Sequence, residues 1–412
     1  MKKPFYSLSR YSLFLVILAL PFSDARVEWM GIPVYVPELA VLLSALLFLI
    51  SMRRKESSAR TVPKTMLLGF LLVLVGMIAS AYAAGTLAEP TYGAMKSWLV
   101  FPAVFGFLLT QVFRSERDIR EALFIWFLVS ATVATATLFP GPTGAETYDG
   151  RLHSFFLSPN HLALFLIPGS IIGWLFISGI GNIPKHFLAL TLEGLIILTL
   201  FRTESHGAIA ASFLGTAIYF IGALFGRRGA IRLVLGIGII IAGLFAFLHL
   251  SGQWERLSAG DVRHSLASRV MIWNVAGSMI AEKPFFGIGP RSFQEAYLAR
   301  QESFPPYLEW AVPHPHNVFL SFWLSAGLLG LSGFLLLLIL LFFGAVEGLS
   351  RRGVSSRSVP ATLFALGSAA VLAGLVDETY FKTDLAIGFW TILTFSIHYV
   401  SAQRKQKQKT SE

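Results

Sequence analysis

The stretch HPHNVFLSFWLSAGLLGLSGFLLLLILLFFGA, residues 314–345, decides the fold class of this chain. Between Val318 and Ala345 it contains no Lys, Arg, Asp or Glu. It is longer than the roughly 20 apolar residues that cross a hydrocarbon core as a helix. Two histidines and a proline stand immediately before it. The sequence therefore predicts a membrane-spanning helix that begins beside a polar motif.

The same apolar pattern recurs along the rest of the chain. Of the 412 residues, 55% are hydrophobic and 14% are charged, whereas a soluble domain carries about 25% charged residues. The sequence predicts an all-α polytopic membrane protein with about twelve spanning helices. We place them at 11–23, 34–52, 65–84, 94–113, 121–139, 161–179, 187–203, 207–225, 233–250, 317–345, 359–376 and 385–400.

Charge alternates between the connectors and predicts the orientation. The net charge is +10, and most basic residues lie in 2–10, 53–64, 114–120, 227–232, 351–357 and 404–409. The positive-inside rule places these connectors and both termini in the cytoplasm. The basicity is then explained by orientation, so nucleic acid is not an expected partner. The first segment also resembles a signal peptide, but we expect it to stay as an uncleaved first helix.

Four regions follow from this pattern. Residues 1–250 hold nine helices, 251–315 form one large helical loop on the outer side, and 316–400 hold the last three helices. Residues 401–412 form a basic tail that we expect to be cytoplasmic and disordered. The acids Asp377, Glu378 and Asp384 are expected to be solvated in a short outer loop.

Several chemical classes are excluded or disfavoured. The chain has no cysteine, which excludes disulfides, thiolate zinc sites and a cysteine nucleophile. It has no D-x-D motif to hold a metal. We therefore expect no metal and no cofactor.

The large loop carries an arginine and a glycine turn. Arg269 lies near the apolar face of a predicted amphipathic helix that Pro284 ends. Gly287 and Gly289 follow in a tight turn, with Arg291 directly after it. Backbone N–H groups in such a turn can hold a phosphate. The alternative is a purely structural turn beneath a surface helix.

Two further polar motifs stand at predicted helix ends. Arg202 and His206 lie in the tight hairpin RTESHG, and charges there must face water or a polar cavity. Arg151 precedes Ser-Pro-Asn at 158–160, which has the composition of a helix N-cap. The alternative for the RTESHG hairpin is a helix end with interfacial charges, and the alternative for Ser-Pro-Asn is plain helix capping. Glu193 lies inside a predicted helix, either paired with another helix or acting in proton transfer.

His314 and His316 are the strongest candidates for acid–base chemistry. Histidine titrates near neutral pH, which suits a general base. Residues i and i+2 of an extended segment point to opposite sides, so the two rings are not expected to share one metal. One histidine is then reactive and the other structural. The alternative is that both lie at the interface, with Asn317 capping the helix.

In this order the motifs resemble the bacterial O-antigen ligase family, whose wider group includes O-antigen polymerases and protein O-oligosaccharyltransferases. The resemblance covers nearly the whole chain, and only the order and spacing of the motifs make it specific. It rests on Arg151 with Ser158-Pro159-Asn160, Thr203-x-Ser205-His206-Gly207, Arg269-x-x-x-Trp273, Pro284-x-x-Gly287-x-Gly289, and His314-x-His316-Asn317 followed by Gly327 and Gly330. One position departs: the family usually carries arginine where His206 stands, so either Arg202 or a protonated His206 supplies that charge.

The resemblance implies a function. Such enzymes transfer a glycan from undecaprenyl diphosphate to lipid A–core on the periplasmic side of the Gram-negative inner membrane, in lipopolysaccharide biosynthesis. The implied architecture is that of the GT-C glycosyltransferases, without metal or nucleotide, working as a monomer among membrane lipids. A histidine would act as general base and arginines would hold the diphosphate, with inversion at the anomeric carbon.

These implications give each candidate residue a role. His316 is the expected base, with Arg269 and Arg202 in the catalytic set. The expected substrate contacts are Arg151, Arg291, His314, Asn317, His206, Gly287 and Gly289. Alternatives are an O-antigen polymerase, a protein O-oligosaccharyltransferase and, in a different class, a membrane transporter. One dominant outer loop and a chain that ends soon after the last helix favour the ligase.

Overall fold

The computed structural model describes residues 4–29, 32–87, 89–139, 146–147, 150–179, 182–250, 265–304, 312–351 and 353–411. Most of these residues are helical. The helices are α1 Pro4–Ala19, α2 Val36–Arg53, α3 Lys64–Ala83, α4 Glu89–Met95, α5 Phe101–Val112, α6 Glu116–Leu138, α7 Pro159–Ile177, α8 Ile183–Arg202, α9 His206–Leu250, α10 Ser265–Glu282, α11 Phe293–Leu298, α12 Val318–Leu349, α13 Val354–Gly374 and α14 Thr383–Ser411. A π-helical turn, Lys96–Val100, joins α4 to α5, and 3-10 turns lie at Leu20–Phe22 and Gln301–Ser303.

The chain is an all-α polytopic membrane protein, as the composition predicts. Within the described residues, ten helices are long and apolar enough to cross a membrane. Each of the twelve predicted segments falls mainly on helix. Two of them share α9, and the last lies in α14, which is not among the ten. The strands β1 (Arg26–Trp29) and β2 (Ile32–Tyr35) form a small antiparallel hairpin that the sequence did not predict.

Two of the long helices are broken at a glycine. The backbone of α9 leaves the helical region at Gly226 (φ 65°, ψ −156°), and that of α12 does so at Gly327 (φ 65°, ψ −172°). Only glycine adopts such angles without strain. The break in α9 falls between the predicted segments 207–225 and 233–250. The break in α12 was not predicted, because the apolar run continues through it.

The expected disorder of the tail is wrong for residues 401–411, since α14 continues to Ser411. Gln, Arg and Lys dominate this segment and have high helix propensity. The predicted loop 251–315 is described at 265–304 and 312–315, where it contains α10 and α11. Its parts 251–264 and 305–311 lie outside the described residues.

Contacts between distant residues define the two ends of the helix bundle. At one end Arg10 on α1 pairs with Asp118 on α6 at 2.9 Å, and Arg351 pairs with Glu116 at 3.2 Å. This end carries the basic connectors of the sequence. At the opposite end the loop between α13 and α14, residues 375–382, contacts the start of α12 and the helix α10. We call these the basic end and the loop end.

Small residues and aromatic rings set the position of α12. A Cβ on Gly76 of α3 would lie 2.6 Å from the backbone nitrogen of Gly330, so the two helices approach closely. Toward the loop end, Phe322 stacks on Phe334 with ring centroids 3.9 Å apart. Phe381 of the 375–382 loop packs on the ring of Phe322, with ring centroids 4.7 Å apart. The aromatic packing fixes that loop against the first segment of α12.

Candidate functional site

The site is built around the residue before α12. Asn317 is the N-cap of this helix, and its side-chain oxygen accepts from the N–H groups of Phe319 at 3.0 Å and Leu320 at 3.1 Å. Its amide group donates to the carbonyl of Leu375 at 2.9 Å. The predicted capping role of Asn317 is therefore confirmed. The same side chain ties the start of α12 to the 375–382 loop and holds His316 beside it.

His316 and Asp377 form a hydrogen-bonded pair. Nδ1 of His316 lies 3.1 Å from Oδ1 of Asp377, and the two side chains are 23% and 8% exposed. When Nδ1 carries the proton and donates it to the carboxylate, Nε2 has its lone pair free to accept one. This is the arrangement of a histidine that is oriented for general-base work.

Asp377 stays ionised in this setting. Burial alone would raise the pKa of its carboxyl. The hydrogen bond from His316 and the charges of His316 and Arg269 outweigh burial and hold that pKa well below its usual range. The carboxylate can therefore stabilise a positive charge that forms on His316.

Arg269 reaches the pair from α10. Its Nε donates to the carbonyl of Val376 at 2.5 Å, and Nη2 lies 3.8 Å from Oδ2 of Asp377. One helical turn later, Trp273 donates from Nε1 to the carbonyl of Pro315 at 3.0 Å. The helix α10 thus holds both chain segments that form the pair. Arg269, His314, His316 and Asp377 are called the His–Asp cluster below.

The expectation that His314 and His316 point apart is wrong. Their ring centroids are 4.5 Å apart at an interplanar angle of 68°. The reason is the backbone of His316, whose φ of 49° lies in the left-handed region and brings its ring back toward His314. Burial, and next the charge of His316, lower the pKa of His314 to about 3. His314 is therefore neutral near pH 7.

Arg151 links two of the predicted motifs. Its Nε donates to the carbonyl of Thr203 at 2.8 Å, and its Nη2 donates to Oδ1 of Asn160 at 2.9 Å. Ser158 caps α7 by accepting from the N–H of His161 at 3.2 Å, so the capping interpretation of Ser-Pro-Asn is confirmed. The charge of Arg151 also opposes that of Arg269. Two guanidinium groups therefore lie near each other at the loop end.

Arg202 and His206 lie on the hairpin between α8 and α9. Nη2 of Arg202 pairs with Oε1 of Glu146 at 3.2 Å, and both side chains are about half exposed. His206 is exposed at the first position of α9. Arg202 contacts Glu146 through its guanidinium and Leu152 through its backbone carbonyl. They do not bring its guanidinium to the His–Asp cluster.

The glycine turn after α10 docks on the break in α12. The N–H groups of Ile288 and Gly289 both donate to the carbonyl of Leu324, at 2.7 and 3.2 Å. The N–H of Gly287 donates to the backbone carbonyl of Lys283 at 2.9 Å. A Cβ on Gly287 would lie 2.3 Å from that Leu324 oxygen, so only glycine fits. These N–H groups are directed to protein carbonyls, which matches the structural alternative for the turn.

Arg291 lies beyond this turn. It is exposed, its φ is 63°, and its guanidinium carbon lies 5.9 Å from the ring centroid of Trp98. Trp98 in turn packs edge-on against Phe381 of the 375–382 loop at 5.4 Å. Arg291 therefore lies at the loop end, on the side of this loop that the π-helical turn contacts.

Sequence reasoning missed the burial of three acids, two in the 375–382 loop and one at the start of α14, which it expected to be solvated. Asp377, Glu378 and Asp384 are 6%, 1% and 3% exposed. Glu378 accepts a hydrogen bond from the hydroxyl of Ser321 on α12, and desolvation raises its pKa to about 7. Asp384 binds Nε2 of His161 at 3.0 Å. The available signal was that these acids, like His-Pro-His-Asn, stand at the end of an apolar segment.

Glu193 on α8 is buried away from the site. It is 2% exposed, and neither carboxylate oxygen has a hydrogen-bond partner among the described residues. A Cβ on Gly173 of α7 would lie 2.0 Å from its Oε2. The expected pairing with a charge on another helix is absent from this part of the structure.

Residues 193–335 match a family model described as O-antigen ligase. The match includes α9, α10, α11 and the His-Pro-His-Asn motif, and it leaves Arg151 and Asp377 outside. No curated protein matches the chain significantly. The matched family indicates a glycosyl-transferring enzyme class broadly, and the hydrogen-bonded His316–Asp377 pair beside Arg269 agrees with such a class. Over residues 193–335, about a third of its length, the chain is therefore similar to the O-antigen ligase family.

Proposed function

We propose that this protein is an O-antigen ligase. It transfers a glycan from undecaprenyl diphosphate to the lipid A–core acceptor on the periplasmic side of the inner membrane, in lipopolysaccharide biosynthesis. The observation that carries the proposal is the His316–Asp377 pair, 3.1 Å apart, with Arg269 against the same carboxylate. It supports a site with a base and an anion-binding group next to each other at one end of the helices.

In the proposed reaction, Nε2 of His316 removes the proton from the acceptor hydroxyl while the oxygen attacks the anomeric carbon of the donor sugar. The new glycosidic bond forms as the bond to the diphosphate breaks. Undecaprenyl diphosphate leaves with the bonding electrons, and direct displacement inverts the anomeric centre. Asp377 stabilises the imidazolium that forms on His316, as its low pKa and direct hydrogen bond allow.

Arginine would stabilise the leaving diphosphate. A guanidinium binds phosphate oxygens in a bidentate manner, and its positive charge persists in a buried site. Arg269 and Arg151 are the proposed diphosphate contacts, because Arg151 lies close enough for its charge to act on Arg269. Arg202, His206 and Arg291 lie at the same end and are proposed as outer contacts of the substrate. The donor already carries its leaving group, so the reaction needs neither nucleotide nor metal.

The orientation supports this assignment. By the positive-inside rule the basic end, with Arg10, Arg120 and Arg351, faces the cytoplasm. The loop end then faces the periplasm, at the membrane surface where a lipid-linked diphosphate and a lipid acceptor meet. We propose a GT-C type architecture in a monomer with both termini cytoplasmic.

The test is reconstitution of the purified chain in vesicles with an undecaprenyl-diphosphate glycan and lipid A–core. The proposal predicts release of undecaprenyl diphosphate together with a larger lipid A–core product. Growth of the lipid-linked glycan without lipid A–core would indicate a polymerase instead. Transfer to an added protein would indicate a protein O-oligosaccharyltransferase. Movement of the donor across the vesicle without a covalent product would indicate a transporter.

A further inference from the structure

Three side chains of the His–Asp cluster offer metal-ligand atoms to one point. One ligand atom from each of His314, His316 and Asp377 lies within 4.8 Å of the other two. Two of these atoms, Nδ1 of His316 and Oδ1 of Asp377, are already 3.1 Å apart. In a tetrahedral zinc site with bonds of about 2.0–2.2 Å, ligand atoms lie roughly 3.3–3.5 Å apart. Rotation of the His314 ring would bring its nitrogen to a similar distance from the other two ligand atoms.

His314 supplies an independent observation. Its Nδ1 is buried and has no hydrogen-bond partner within the described ranges. Its ring lies edge-on to that of His316, with centroids 4.5 Å apart. A buried imidazole nitrogen without a partner costs free energy unless something binds it. A cation between the two rings and the carboxylate would satisfy this atom.

We propose that the His–Asp cluster is an inhibitory binding site for a divalent transition-metal ion of the zinc class. The ligands are His314, His316 and Asp377. Two imidazole nitrogens and one carboxylate oxygen suit such ions better than they suit magnesium or calcium, which prefer oxygen ligands alone. That the ion inhibits the enzyme rests on the proposed function, in which His316 is the base.

Inhibition follows from the atoms that the ion would occupy. The ion binds the lone pair of Nδ1 of His316, so the single proton of the neutral ring moves to Nε2 and the hydrogen bond to Asp377 is lost. Nε2 then carries a proton and has no lone pair with which to accept one from an acceptor hydroxyl. The carboxylate is at the same time neutralised by the ion.

Arg269 acts against the ion. Its guanidinium lies 3.8 Å from Oδ2 of Asp377 and is held there by the carbonyl of Val376. A second cation beside the same carboxylate is repelled. The site is therefore weaker than a structural zinc site, and loss of the Arg269 charge is expected to strengthen metal binding.

The experiment measures Zn²⁺ binding to the full chain in detergent or lipid discs by equilibrium dialysis. One ion is expected to bind each wild-type chain, and His314→Ala is expected to weaken binding at least tenfold. Arg269→Gln is expected to tighten it. The matched control is His186→Ala, a histidine near the basic-end start of α8, which is expected to leave binding unchanged.

Three results would overturn the proposal. They are no saturable Zn²⁺ binding by the folded wild type, equal binding by wild type and His314→Ala, and weaker binding by Arg269→Gln than by wild type. His314→Gln, checked for folding by its melting curve, replaces the alanine variant if that one does not fold. A second measurement is the inhibition of ligation by Zn²⁺. The Zn²⁺ concentration that inhibits is expected to be tenfold higher in the His314 variant than in wild type. Stimulation by Zn²⁺ would overturn the inhibitory sign, whereas a chain that binds Zn²⁺ but never ligates would refute only the proposed function.

Discussion

The two ends of the helix bundle both carry clusters of charged side chains, and they satisfy them in opposite ways. At the basic end three arginines meet carboxylates: Arg10 meets Asp118 and Glu121, and Arg120 and Arg351 meet Glu116. At the loop end Arg269, with Arg151 nearby, shares the single carboxylate of Asp377 with His316. Nδ1 of His314 there has no hydrogen-bond partner among the described residues.

This difference separates a structural cluster from a candidate chemical one. Balanced, partly exposed ion pairs fix helices relative to each other and contribute about 0–1 kcal/mol each. A buried group with an excess of positive charge is costly unless an anion binds to it. The two positive charges of Arg269 and Arg151 against the one negative charge of Asp377 support the proposed binding of an anionic substrate at the His–Asp cluster.

Replacing His316 by alanine should have the largest effect on catalysis. Loss of a general base typically costs about 10²–10⁴-fold in rate, while Asn317 still caps α12. The measurement is the rate of lipid A–core product formation in reconstituted vesicles. The matched control at the basic end is Arg10→Ala, which should lower the melting temperature but keep the turnover of the folded protein. Equal activity losses in the two variants would remove the contrast between the ends.

Asp377→Asn should reduce kcat by roughly 10–100-fold, equivalent to about 1.4–2.7 kcal/mol of transition-state stabilisation. The amide keeps the size of the side chain but not the charge that stabilises the His316 imidazolium. Donor binding should change little, so kcat and KM separate the effect from a general loss of structure. A variant with wild-type kcat would show that the hydrogen bond is only structural.

Arg269→Lys should reduce turnover about tenfold, because lysine keeps the charge but loses the planar fork that binds phosphate. It also loses the Nε donor that holds Val376. The readout is kcat/KM for the lipid-linked donor. Arg120→Lys at the basic end is the control and should be close to wild type. Wild-type activity of Arg269→Lys would argue against bidentate phosphate binding.

Arg202→Gln should change turnover by only about two- to threefold, because its half-exposed side chain pairs with Glu146 in the manner of a surface ion pair. Glu146→Gln tests the same pair from the other side. A hundredfold loss in Arg202→Gln alone would place this arginine with Arg269 in binding the diphosphate. It would also answer whether Arg202 replaces the arginine that the family usually has at the position of His206.

The smallest effect concerns stability against acid. The pKa of His314 is about 3 in the folded chain and near 6.5 when unfolded. Between these values the unfolded state binds more protons, so His314 contributes stability above pH 6.5 that is lost as the pH falls, by up to about 1.4 kcal/mol per pH unit. Melting curves from pH 7 to pH 5 should therefore fall less steeply in His314→Gln than in wild type. His186→Gln should follow wild type, and identical slopes in all three would contradict a buried neutral His314.

Much of the fold could be predicted from the sequence, because hydrophobic length alone identifies spanning helices. The break of α12 at Gly327 could not be predicted, since an apolar run looks the same whether its helix is straight or broken. Gly287 illustrates the limit of motif reasoning. Its spacing fits a phosphate turn, yet its neighbours' N–H groups bind the carbonyl of Leu324 in the break of α12.

The site was predictable where one motif supplies both the residue and its setting. His316 and Asn317 are adjacent in sequence, and the sequence correctly predicted that Asn317 caps α12. Asp377 lies 61 positions further on, and only the packing of α12 against the 375–382 loop brings it to His316. The relative position of His314 failed for a local reason, the left-handed backbone of His316, which residue spacing does not reveal.

Chemical rescue of the missing base tests the central claim most directly. His316→Gly removes the imidazole, and imidazole added to reconstituted vesicles can occupy the vacated space next to Asp377. The account predicts almost no lipid A–core product without imidazole. It also predicts a rate that rises with imidazole concentration and with the basicity of substituted imidazoles, while Arg269→Gly shows no such response. Full activity of His316→Gly without imidazole, or the same imidazole response in both variants, would contradict His316 as the general base.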